Sequence, residues 1–280
     1  MSSTRSVPVA LTIAGSDCSC GAGLQADLKT FGAFGVFGLT AVTCVVAEVP
    51  GRVSQIDAVD RSNLLEQIEL CLTHFPIGAI KTGLLFSAEN VATVAELIGR
   101  LAPNVPLVVD PVMVATSGDL LLPREAIDLY RNRLFPRATL ITPNLSEAGV
   151  LLGQPVRDLD EMRAAGSELA TKFGTRVLLK GGHLDGERAV DLLIDPDGVR
   201  EFSAPRVLGV STHGTGCAYS AAITAGLARG HSLAEAILQA KEFVSRAIAG
   251  YFTWQSSLGE VHALNHALTA SFREPRKPGC

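Results

Sequence analysis

The sequence of 280 residues predicts an α/β fold, a mostly parallel sheet with helices on both of its faces. Continuous apolar runs bounded by turn residues alternate with segments of helical period, which is typical of parallel strands buried on both faces. Apolar residues make up 47% of the chain and aromatic residues only 5%, a composition that suits helices packed on a sheet. Residues 1–272 are predicted to form one domain, because no linker or repeat divides them, and the tail 273–280 is predicted to be loose.

Strands are predicted where short apolar or β-branched runs end at glycine, proline or polar residues. They cover 7–14, 37–47, 78–82, 107–110, 139–142, 176–180, 189–194 and 199–203. Residues 15–23 form a glycine-rich loop after the first strand. The last two strands flank Asp195-Pro196-Asp197-Gly198, a strong signal for a hairpin.

Helices are predicted where apolar residues recur with helical spacing. They cover 24–35, 61–74, 88–101, 123–134, 145–152, 161–173, 216–229 and 233–251. The fourth begins at Pro123, whose fixed φ suits the first turn of a helix. Because helices alternate with strands, the polar residues that follow the strands are expected at one edge of the sheet, where open α/β sheets bind their ligands.

Charge, hydropathy and cysteine content indicate which partners and which cellular compartment to expect. The formal net charge is -4 and no long basic run occurs, so nucleic acid is not an expected partner. No apolar run has the length of a membrane span and residues 1–7 do not read as a signal peptide, so no membrane partner is expected either. The six cysteines lack the spacing of an extracellular disulfide framework, which predicts a cytoplasmic protein.

The most informative motif is Ser211-Thr212-His213-Gly214-Thr215-Gly216-Cys217, where a loop turns into a helix rich in small residues. Gly214, Thr215 and Gly216 allow several backbone N–H groups to point the same way at the positive end of a helix, an arrangement that attracts phosphoryl oxygens. A helix N-terminus also pushes the thiol of Cys217 toward the thiolate. An anion cradle beside an activated base predicts a small-molecule kinase.

The glycine-rich loop and its following helix offer a second set of candidates. Glycines at 15, 21 and 23 let the backbone approach a ligand, although an ordinary tight turn between strand and helix would use the same residues. Asp27 either faces the crevice or is a solvated acid of the first helical turn. Cys18 and Cys20 have no second pair at metal-binding spacing, so we interpret them as small loop residues and not as a zinc site.

Three further strands end in polar residues. Asp110 closes one strand, and Asn144 with Glu147 follows the next; the latter pair is either a capping box or a source of oxygen ligands for Mg²⁺. Lys180 ends a third strand, where its ammonium could meet a phosphate as a point charge. His183 is interpreted as a loop residue that hydrogen-bonds. His262 and His266 share a helical spacing suited to a metal, but nothing near them completes a site, and we interpret them as structural.

Taken together, these segments resemble the hydroxymethylpyrimidine/phosphomethylpyrimidine kinase family of thiamine biosynthesis, within the ribokinase-like superfamily. The resemblance covers Ala10 to about His266. It rests on LTIAGSD at 11–17, GAGLQADLKT at 21–30, DPVM at 110–113, ITPNLSEA at 141–148, LKGGH at 179–183 and THGTGC at 212–217. Each motif is modest alone, but in this order they are highly specific.

The resemblance implies a ribokinase-like three-layer sandwich and an enzyme that uses ATP and Mg²⁺. The family phosphorylates 4-amino-5-hydroxymethyl-2-methylpyrimidine and then its monophosphate, and its members are commonly homodimers. By resemblance, the pyrimidine would be held by Gly15, Ala22, Asp27, Val46 and Glu48. Cys217 would be the base, with Gly214, Thr215 and Gly216 as the anion hole and Lys180 neutralising charge. ATP would be bound by Asp110, Asn144, Lys180 and Thr215, and Mg²⁺ by Asp110 and Glu147, partly through water.

Two departures from the family pattern matter, the first for oxidation and the second for substrate choice. Cys18 and Cys20 stand where the family usually has Pro and Gly, which suggests a site mouth sensitive to oxidation. Glu48 stands where the family usually has Gln; an ionised Glu offers only hydrogen-bond acceptors, whereas Gln offers donors as well. Glu48 would then pair with a protonated ring, be protonated itself when buried, or favour another substrate.

Three other functions compete with this interpretation. A pyridoxal/pyridoxine kinase of the same superfamily is the nearest, since some of them share the cysteine and accept both rings. A sugar or nucleoside kinase is disfavoured, because Cys217 stands where those enzymes have an aspartate. A non-catalytic pyrimidine-binding protein is disfavoured by the intact Lys180, Glu147 and 214–217 segment.

Overall fold

The computed structural model describes residues 7–114, 122–182, 184–210, 213–256 and 259–268. The strands are β1 Val9–Asp17, β2 Phe37–Val49, β3 Arg52–Ala58, β4 Ile77–Thr82, β5 Leu107–Val109, β6 Leu140–Ile141, β7 Val177–Lys180, β8 Arg188–Asp195, β9 Gly198–Pro205, β10 Phe252–Ser256 and β11 Gly259–Ala263. The helices are α1 Gly23–Ala33, α2 Arg61–His74, α3 Ala88–Leu101, α4 Arg124–Leu129, α5 Leu145–Leu152, α6 Leu159–Phe173, α7 Thr215–Ala228 and α8 Leu233–Ala249. The predictions made for His183, Ser211, Thr212 and the tail 273–280 lie outside the described residues.

Within the described residues, nine strands form one sheet in the order β3-β2-β1-β4-β5-β6-β7-β8-β9. Six neighbouring strands run parallel to one another: β2, β1, β4, β5, β6 and β7. Strand β3 at one edge, and β8 and β9 at the other, pair antiparallel with their neighbours. Strands β10 and β11 form a separate two-stranded hairpin. The predicted α/β class and mostly parallel sheet are confirmed.

Two apolar cores cover the two faces of the sheet. Helices α2 to α6 pack on one face, and α1, α7 and α8 pack on the other. Each fully buried leucine, isoleucine or phenylalanine in these cores contributes roughly 1.5–3 kcal/mol relative to an exposed one. Helix α7 is buried on all sides from Ala218 to Gly226 because its small residues let α8 approach closely: a Cβ at Gly226 would lie 2.8 Å from the Cβ of Ala236. This packing fixes the N-terminus of α7 at the ligand edge of the sheet.

The predicted bounds of helices and strands agree best with the observed ones where the apolar pattern is strongest. Helices α2, α3 and α5 have the predicted bounds. Strand β1 continues to Asp17, beyond its predicted end at 14, because it keeps pairing with β2 after an irregularity between Ala14 and Ser16. The predicted loop at 15–23 is therefore shorter than expected.

Three strands had no counterpart in the sequence analysis: β3, β10 and β11. Strand β3 has no buried residue and no regular alternation of apolar and polar residues. Strand β10 does alternate, but over only five residues, and it is exposed throughout. His262 lies on β11 and His266 in the turn after it, so the helical spacing inferred for this pair is wrong.

The predicted helix at 123–134 is divided. After α4 the chain forms a π-helical turn over Tyr130–Leu134 and then a 3₁₀ turn over Phe135–Arg137. Pro136 lies at the start of that last turn. Since proline lacks an N–H and clashes with the preceding turn, a regular α-helix cannot continue through it.

Within the described residues, no helix combines the length and the apolar composition that a membrane span requires.

Candidate active site

A cavity of about 710 Å³ opens at the carboxyl edge of the parallel strands, beside the N-terminus of α7. Most of the residues singled out from the sequence line it: Gly15, Ala22, Val46, Glu48, Asp110, Asn144, Glu147, Lys180, Gly214, Gly216 and Cys217. Asp27 and Thr215 are not part of its wall. The cavity therefore brings together segments that are far apart in the sequence.

The N-terminus of α7 is left open by its own side chains. Gly214 is the N-cap residue and no side chain caps the helix. The hydroxyl of Thr215 is buried without a hydrogen-bond partner among the described residues. Uncapped N–H groups at a helix start carry partial positive charge, so this end of α7 can bind an anion.

Gly214 also holds the glycine loop against α7. Its φ is +80°, and a Cβ at this position would overlap the carbonyl oxygen of Gly21. Only glycine satisfies both the left-handed backbone and the close approach. The loop after β1 and the start of α7 therefore pack directly on each other.

We expect Gly214→Ala to lower the thermal unfolding midpoint and to abolish most turnover, because the left-handed backbone costs roughly 1–2 kcal/mol and the overlap with Gly21 roughly 1–3 kcal/mol more. Gly230→Ala is the matched control, since Gly230 has a φ of +84° but a Cβ there meets nothing within 4 Å. Equal destabilisation of the two variants, measured by thermal unfolding, would show that the contact with Gly21 is unimportant.

Lys180 and Asp110 form an ion pair below the α7 N-terminus. The Lys180 Nζ lies 2.9 Å from Asp110 Oδ1, and Thr142 Oγ1 donates to the same oxygen at 3.1 Å. Ser220 Oγ donates to Asp110 Oδ2 at 3.1 Å. Burial alone would raise the pKa of Asp110, but Lys180 and Lys81 outweigh burial and lower it. Asp110 is therefore an ionised carboxylate that orients the Lys180 ammonium.

Lys180 approaches α7 where the helix lacks side chains. A Cβ at Gly216 would lie 3.1 Å from the Lys180 Nζ, so the ammonium sits directly beside the first turn. Burial would lower the pKa of Lys180, but Asp110 and Glu147 raise it above its usual value. A fixed positive charge thus stands next to the open N–H groups.

Asn144 and Glu147 form the capping box that was one of the two predicted readings. Asn144 Oδ1 accepts from the Glu147 N–H at 2.9 Å, and Glu147 Oε2 accepts from the Asn144 N–H at 2.8 Å. Glu147 Oε1 also accepts from the Met113 N–H at 3.2 Å. Burial and the Asp110 carboxylate raise the pKa of Glu147, while Lys180 opposes them.

The Asp110 and Glu147 carboxylates also suit a divalent cation. Both line the cavity, and each backbone bond to Glu147 leaves a further lone pair on its oxygen. Two neighbouring buried carboxylates repel each other, and hard oxygen ligands of this kind are those that Mg²⁺ takes in proteins. Capping and cation binding are therefore compatible roles for Glu147.

Asp27 lies behind the cavity wall, which differs from the expectation that it faces the crevice. Its side chain is 0% exposed, with the Lys81 Nζ 2.5 Å from Oδ1 and the Thr12 Oγ1 2.6 Å from Oδ2. Burial alone would lower the pKa of Lys81, but the Asp27 carboxylate raises it. Asp27 therefore holds the Lys81 ammonium, and Lys81 is the member of the pair that lines the cavity.

Cys217 lies in the first turn of α7, but its titration differs from the prediction. Burial raises the pKa of the thiol to about 11, and the Asp27 and Asp110 carboxylates add to the rise, while Lys81 and the Gly23 N–H oppose it. Burial therefore opposes the thiolate that a helix N-terminus was expected to favour, and the pKa lies above the usual value and not below it. Cys217 is mainly protonated at neutral pH.

Glu48 faces Asp17 and His213 at the outer part of the cavity. The three side chains each place a ligand atom within 4.8 Å of the others. Burial and the Asp17 carboxylate raise the pKa of Glu48, and His213 opposes them. An irregularity in the pairing of β2 and β3 between Ala47 and Glu48 re-aims this side chain.

Asp17 organises the glycine loop around this group. Its carboxylate accepts hydrogen bonds from the N–H groups of Ser19, Gly21 and Ala22, at 2.7, 3.1 and 2.8 Å. Burial alone would raise the pKa of Asp17, but His213, whose Nε2 is 3.9 Å away, and these N–H groups hold it well below the usual range. Asp17 is ionised and fixes the loop through its hydrogen bonds.

Lys81, Asp17 and His213 are lining residues that the sequence analysis did not assign to the site. One signal was available for Lys81: it is an ionisable residue inside an otherwise apolar strand, and lysine is almost never fully buried without a partner. Asp17 was not assigned to the site because β1 was predicted to end at residue 14, which left Asp17 inside the glycine-rich loop and not at the end of a strand. His213 was read only as part of the glycine motif.

Comparisons with known proteins point to one family. The family model described as phosphomethylpyrimidine kinase matches residues 17–262. A hydroxymethylpyrimidine/phosphomethylpyrimidine kinase of Streptomyces coelicolor is 42% identical over 255 residues, which cover 91% of this chain and 93% of that protein. The chain also matches a thiamine biosynthesis bifunctional protein of Geobacter sulfurreducens, 41% identical over 93% of this chain, but spans only 52% of that protein.

Two solved structures share the fold. The ADP complex of Bacillus subtilis pyridoxal kinase aligns with a TM-score of 0.85 and 37% identity, covering 94% of this chain and 98% of that one. The phosphomethylpyrimidine kinase of Clostridium difficile aligns with a TM-score of 0.76 and 38% identity, covering 86% of this chain and 99% of that one.

Proposed function

The chain belongs to the phosphomethylpyrimidine kinase family, and we propose that it transfers a phosphoryl group from ATP to 4-amino-5-hydroxymethyl-2-methylpyrimidine and then to the monophosphate. The observation that carries the proposal is the meeting of Lys180, Cys217 and the open N-terminus of α7 in one cavity. A fixed ammonium and open backbone N–H groups suit phosphoryl transfer, because the negative charge on the phosphoryl oxygens must be stabilised in the transition state.

Each residue has a defined task in this reaction. The N–H groups of Thr215 and Gly216 and the ammonium of Lys180 bind the transferring phosphoryl oxygens. Asp110 keeps Lys180 in place through the 2.9 Å ion pair. Gly15, Ala22, Val46 and Glu48 line the part of the cavity that would receive the pyrimidine. Asp27 acts on the ring only indirectly, by holding Lys81.

Cys217 is proposed to accept the proton of the hydroxymethyl group. With a pKa of about 11 only a minor thiolate fraction exists at neutral pH, so that fraction would be the reactive form. Lys81 lines the same cavity and favours the thiolate. The oxygen of the substrate becomes a nucleophile as its proton passes to Sγ. It then attacks the terminal phosphorus of ATP, the bond from that phosphorus to the bridging oxygen breaks, and ADP leaves with that oxygen.

A magnesium ion would neutralise charge on the ATP phosphates when bound. Asp110 and Glu147 would hold it, with Asn144 contributing through water, and Asn144, Lys180 and Thr215 would contact the nucleotide. We further propose that residues 1–272 act as one domain, that the chain works in the cytoplasm, and that it forms a homodimer, as the family resemblance implies.

Coupled ADP release with purified protein, ATP and Mg²⁺ tests the assignment. Hydroxymethylpyrimidine, its monophosphate and pyridoxine are compared as acceptors. Turnover of the first two at higher kcat/KM than pyridoxine is the expected result. Turnover of pyridoxine alone would contradict it, and background release with every ring would favour a non-catalytic binding protein.

Pyridoxine phosphorylation is the second candidate, and two observations favour it. The chain aligns over 94% of its length with the Bacillus subtilis pyridoxal kinase, and Glu48 departs from the glutamine usual in the pyrimidine family. A protonated Glu48, however, offers one donor beside an acceptor and so resembles glutamine in its hydrogen bonds. Burial and Asp17 favour that form by raising its pKa.

Glu48→Gln is therefore expected to preserve or lower the KM for the aminopyrimidine, because the amide supplies donor and acceptor at every pH. The KM for each ring is measured from the same ADP assay. Glu96→Gln, on the exposed surface of α3, is the control and should leave every KM unchanged. If Glu48→Gln also leaves the KM of all three rings unaltered, Glu48 does not contact the substrate.

A further inference from the structure

A second cavity, of about 990 Å³, lies outside the proposed kinase site. It is lined by residues of the glycine loop, helix α1, the turn between β2 and β3, and the β10–β11 hairpin. Its wall includes Cys20, Lys29, Phe252, Trp254, His262 and His266. Val49, Gly51 and His213 also line the first cavity and so separate the two. Nothing in the proposed reaction uses this space.

One wall of the second cavity carries positive charge and an unused imidazole atom. His266 is 6% exposed, and its Nε2 is buried without a hydrogen-bond partner among the described residues. Burial and the nearby Lys29 ammonium lower the pKa of His266 to about 4. A buried polar atom without a partner costs free energy, which a ligand could recover.

Lys29 adds a charge that no acid balances. Its Nζ donates to the Cys20 carbonyl at 2.8 Å, and no carboxylate of the described residues lies within 4.0 Å of it. Glu260 is the one carboxylate on the described wall of the cavity; its Oε1 accepts from Thr253 Oγ1 at 2.7 Å and lies 3.6 Å from His262 Nε2. The charge of Lys29 is therefore available to an anion.

Another part of the lining of the same cavity is aromatic. Phe252 and Trp254 alternate along β10 and so share one face of the hairpin, with ring centroids 6.0 Å apart. They are 44% and 54% exposed, which is unusual for the two largest apolar side chains of a hairpin. Flat rings of a ligand stack well on such side chains.

We propose that this second cavity binds a planar aromatic phosphate ester, with its ring on Phe252 and Trp254, an anionic phosphate oxygen on the Lys29 ammonium, and the phosphate O–H of its monoanion donating to Nε2 of the neutral His266. The aromatic face alone would accept many apolar groups, and Lys29 alone would accept any anion. The two walls face one space, so a ligand that carries both groups satisfies both. The site is distinct from the kinase site, and its occupancy does not depend on turnover.

Fluorescence provides a direct test, because Trp254 is the single tryptophan of the chain. The intact protein is titrated with phenyl phosphate, with excitation selective for tryptophan. A saturable change in Trp254 emission is expected, with a midpoint at least about tenfold lower than for inorganic phosphate or benzyl alcohol. No saturable change, or an equal midpoint for inorganic phosphate, would overturn the proposal.

Lys29→Gln and His266→Gln are each expected to raise the phenyl phosphate midpoint about tenfold. Lys29 is exposed, so its variant should fold even if the His266 variant does not. Lys172→Gln, at the last turn of α6, is the matched control and should leave the midpoint unchanged. Unchanged midpoints in the Lys29 variant would contradict the assigned orientation.

Competition separates the two cavities. Saturating the protein with the aminopyrimidine and a non-hydrolysable ATP analogue should leave the phenyl phosphate midpoint unchanged. A shift that grows with either competitor would place phenyl phosphate in the first cavity and overturn the second site. Because the readout is emission and not ADP release, failure of this proposal leaves the proposed kinase function untouched.

Discussion

Cys217→Ala is expected to lower kcat about 10²–10⁴-fold, the range of a lost general base, while leaving the KM for the aminopyrimidine nearly unchanged. The alanine removes the group that would accept the hydroxymethyl proton but keeps the backbone N–H groups of α7. Substrate binding would then persist while the chemical step slows. Coupled ADP release measures kcat and KM together, and Cys71→Ala, a cysteine of α2, controls for loss of a thiol elsewhere.

The pH dependence adds an independent check on the role of Cys217. With a pKa of about 11, the thiolate fraction rises about tenfold for each pH unit through the neutral range. The rate of the unmodified enzyme should therefore rise with pH, and that rise should vanish in Cys217→Ala. A variant that keeps the wild-type kcat, or keeps the alkaline rise, would exclude this cysteine as the base.

Lys180→Gln is expected to lower kcat about 10²–10³-fold, the usual effect of removing one electrostatic donor from a developing charge. Glutamine can still donate a hydrogen bond to Asp110, so the change removes the positive charge and not the whole contact. The loss should appear mainly in kcat, because the charge matters most when the phosphoryl group is between its two partners.

Thermal unfolding must accompany the Lys180 measurement. Asp110 is buried, and loss of its ammonium partner leaves a carboxylate with less compensation, so the unfolding midpoint should fall as well. Lys172→Gln serves again as an exposed control. A folded Lys180→Gln protein with wild-type kcat would show that the α7 N-terminus and the bound cation neutralise the phosphoryl charge without this lysine.

The fold was predictable because its signals are local. Parallel strands such as Leu107–Val109 are continuous apolar runs, and α3 carries a regular apolar stripe, so composition and spacing suffice to identify them. Edge elements carry no such signal. Strand β3 is a strand only because β2 offers it a hydrogen-bonding edge, which is a property of the assembled sheet.

The sequence predicted which residues line the site better than it predicted their ion pairs and pKa values. Glycines and polar residues after strands mark the ligand edge of a parallel sheet, and that rule located Asp110, Lys180 and Gly214. It could not show that Asp27 forms an ion pair with Lys81, because this pairing joins α1 to β4 through three-dimensional packing. The pKa of Cys217 also depends on burial, which a helix-end motif does not reveal.

The contact between Gly214 and Gly21 has a consequence for how the protein is made. The loop after β1 is synthesised before strands β4 to β9, whereas α7 is synthesised only after them. Contacts between such distant segments form late in folding, because the intervening chain must first be ordered. A nascent chain that stops before α7 therefore lacks both the open helix end and the contact that holds the glycine loop against it.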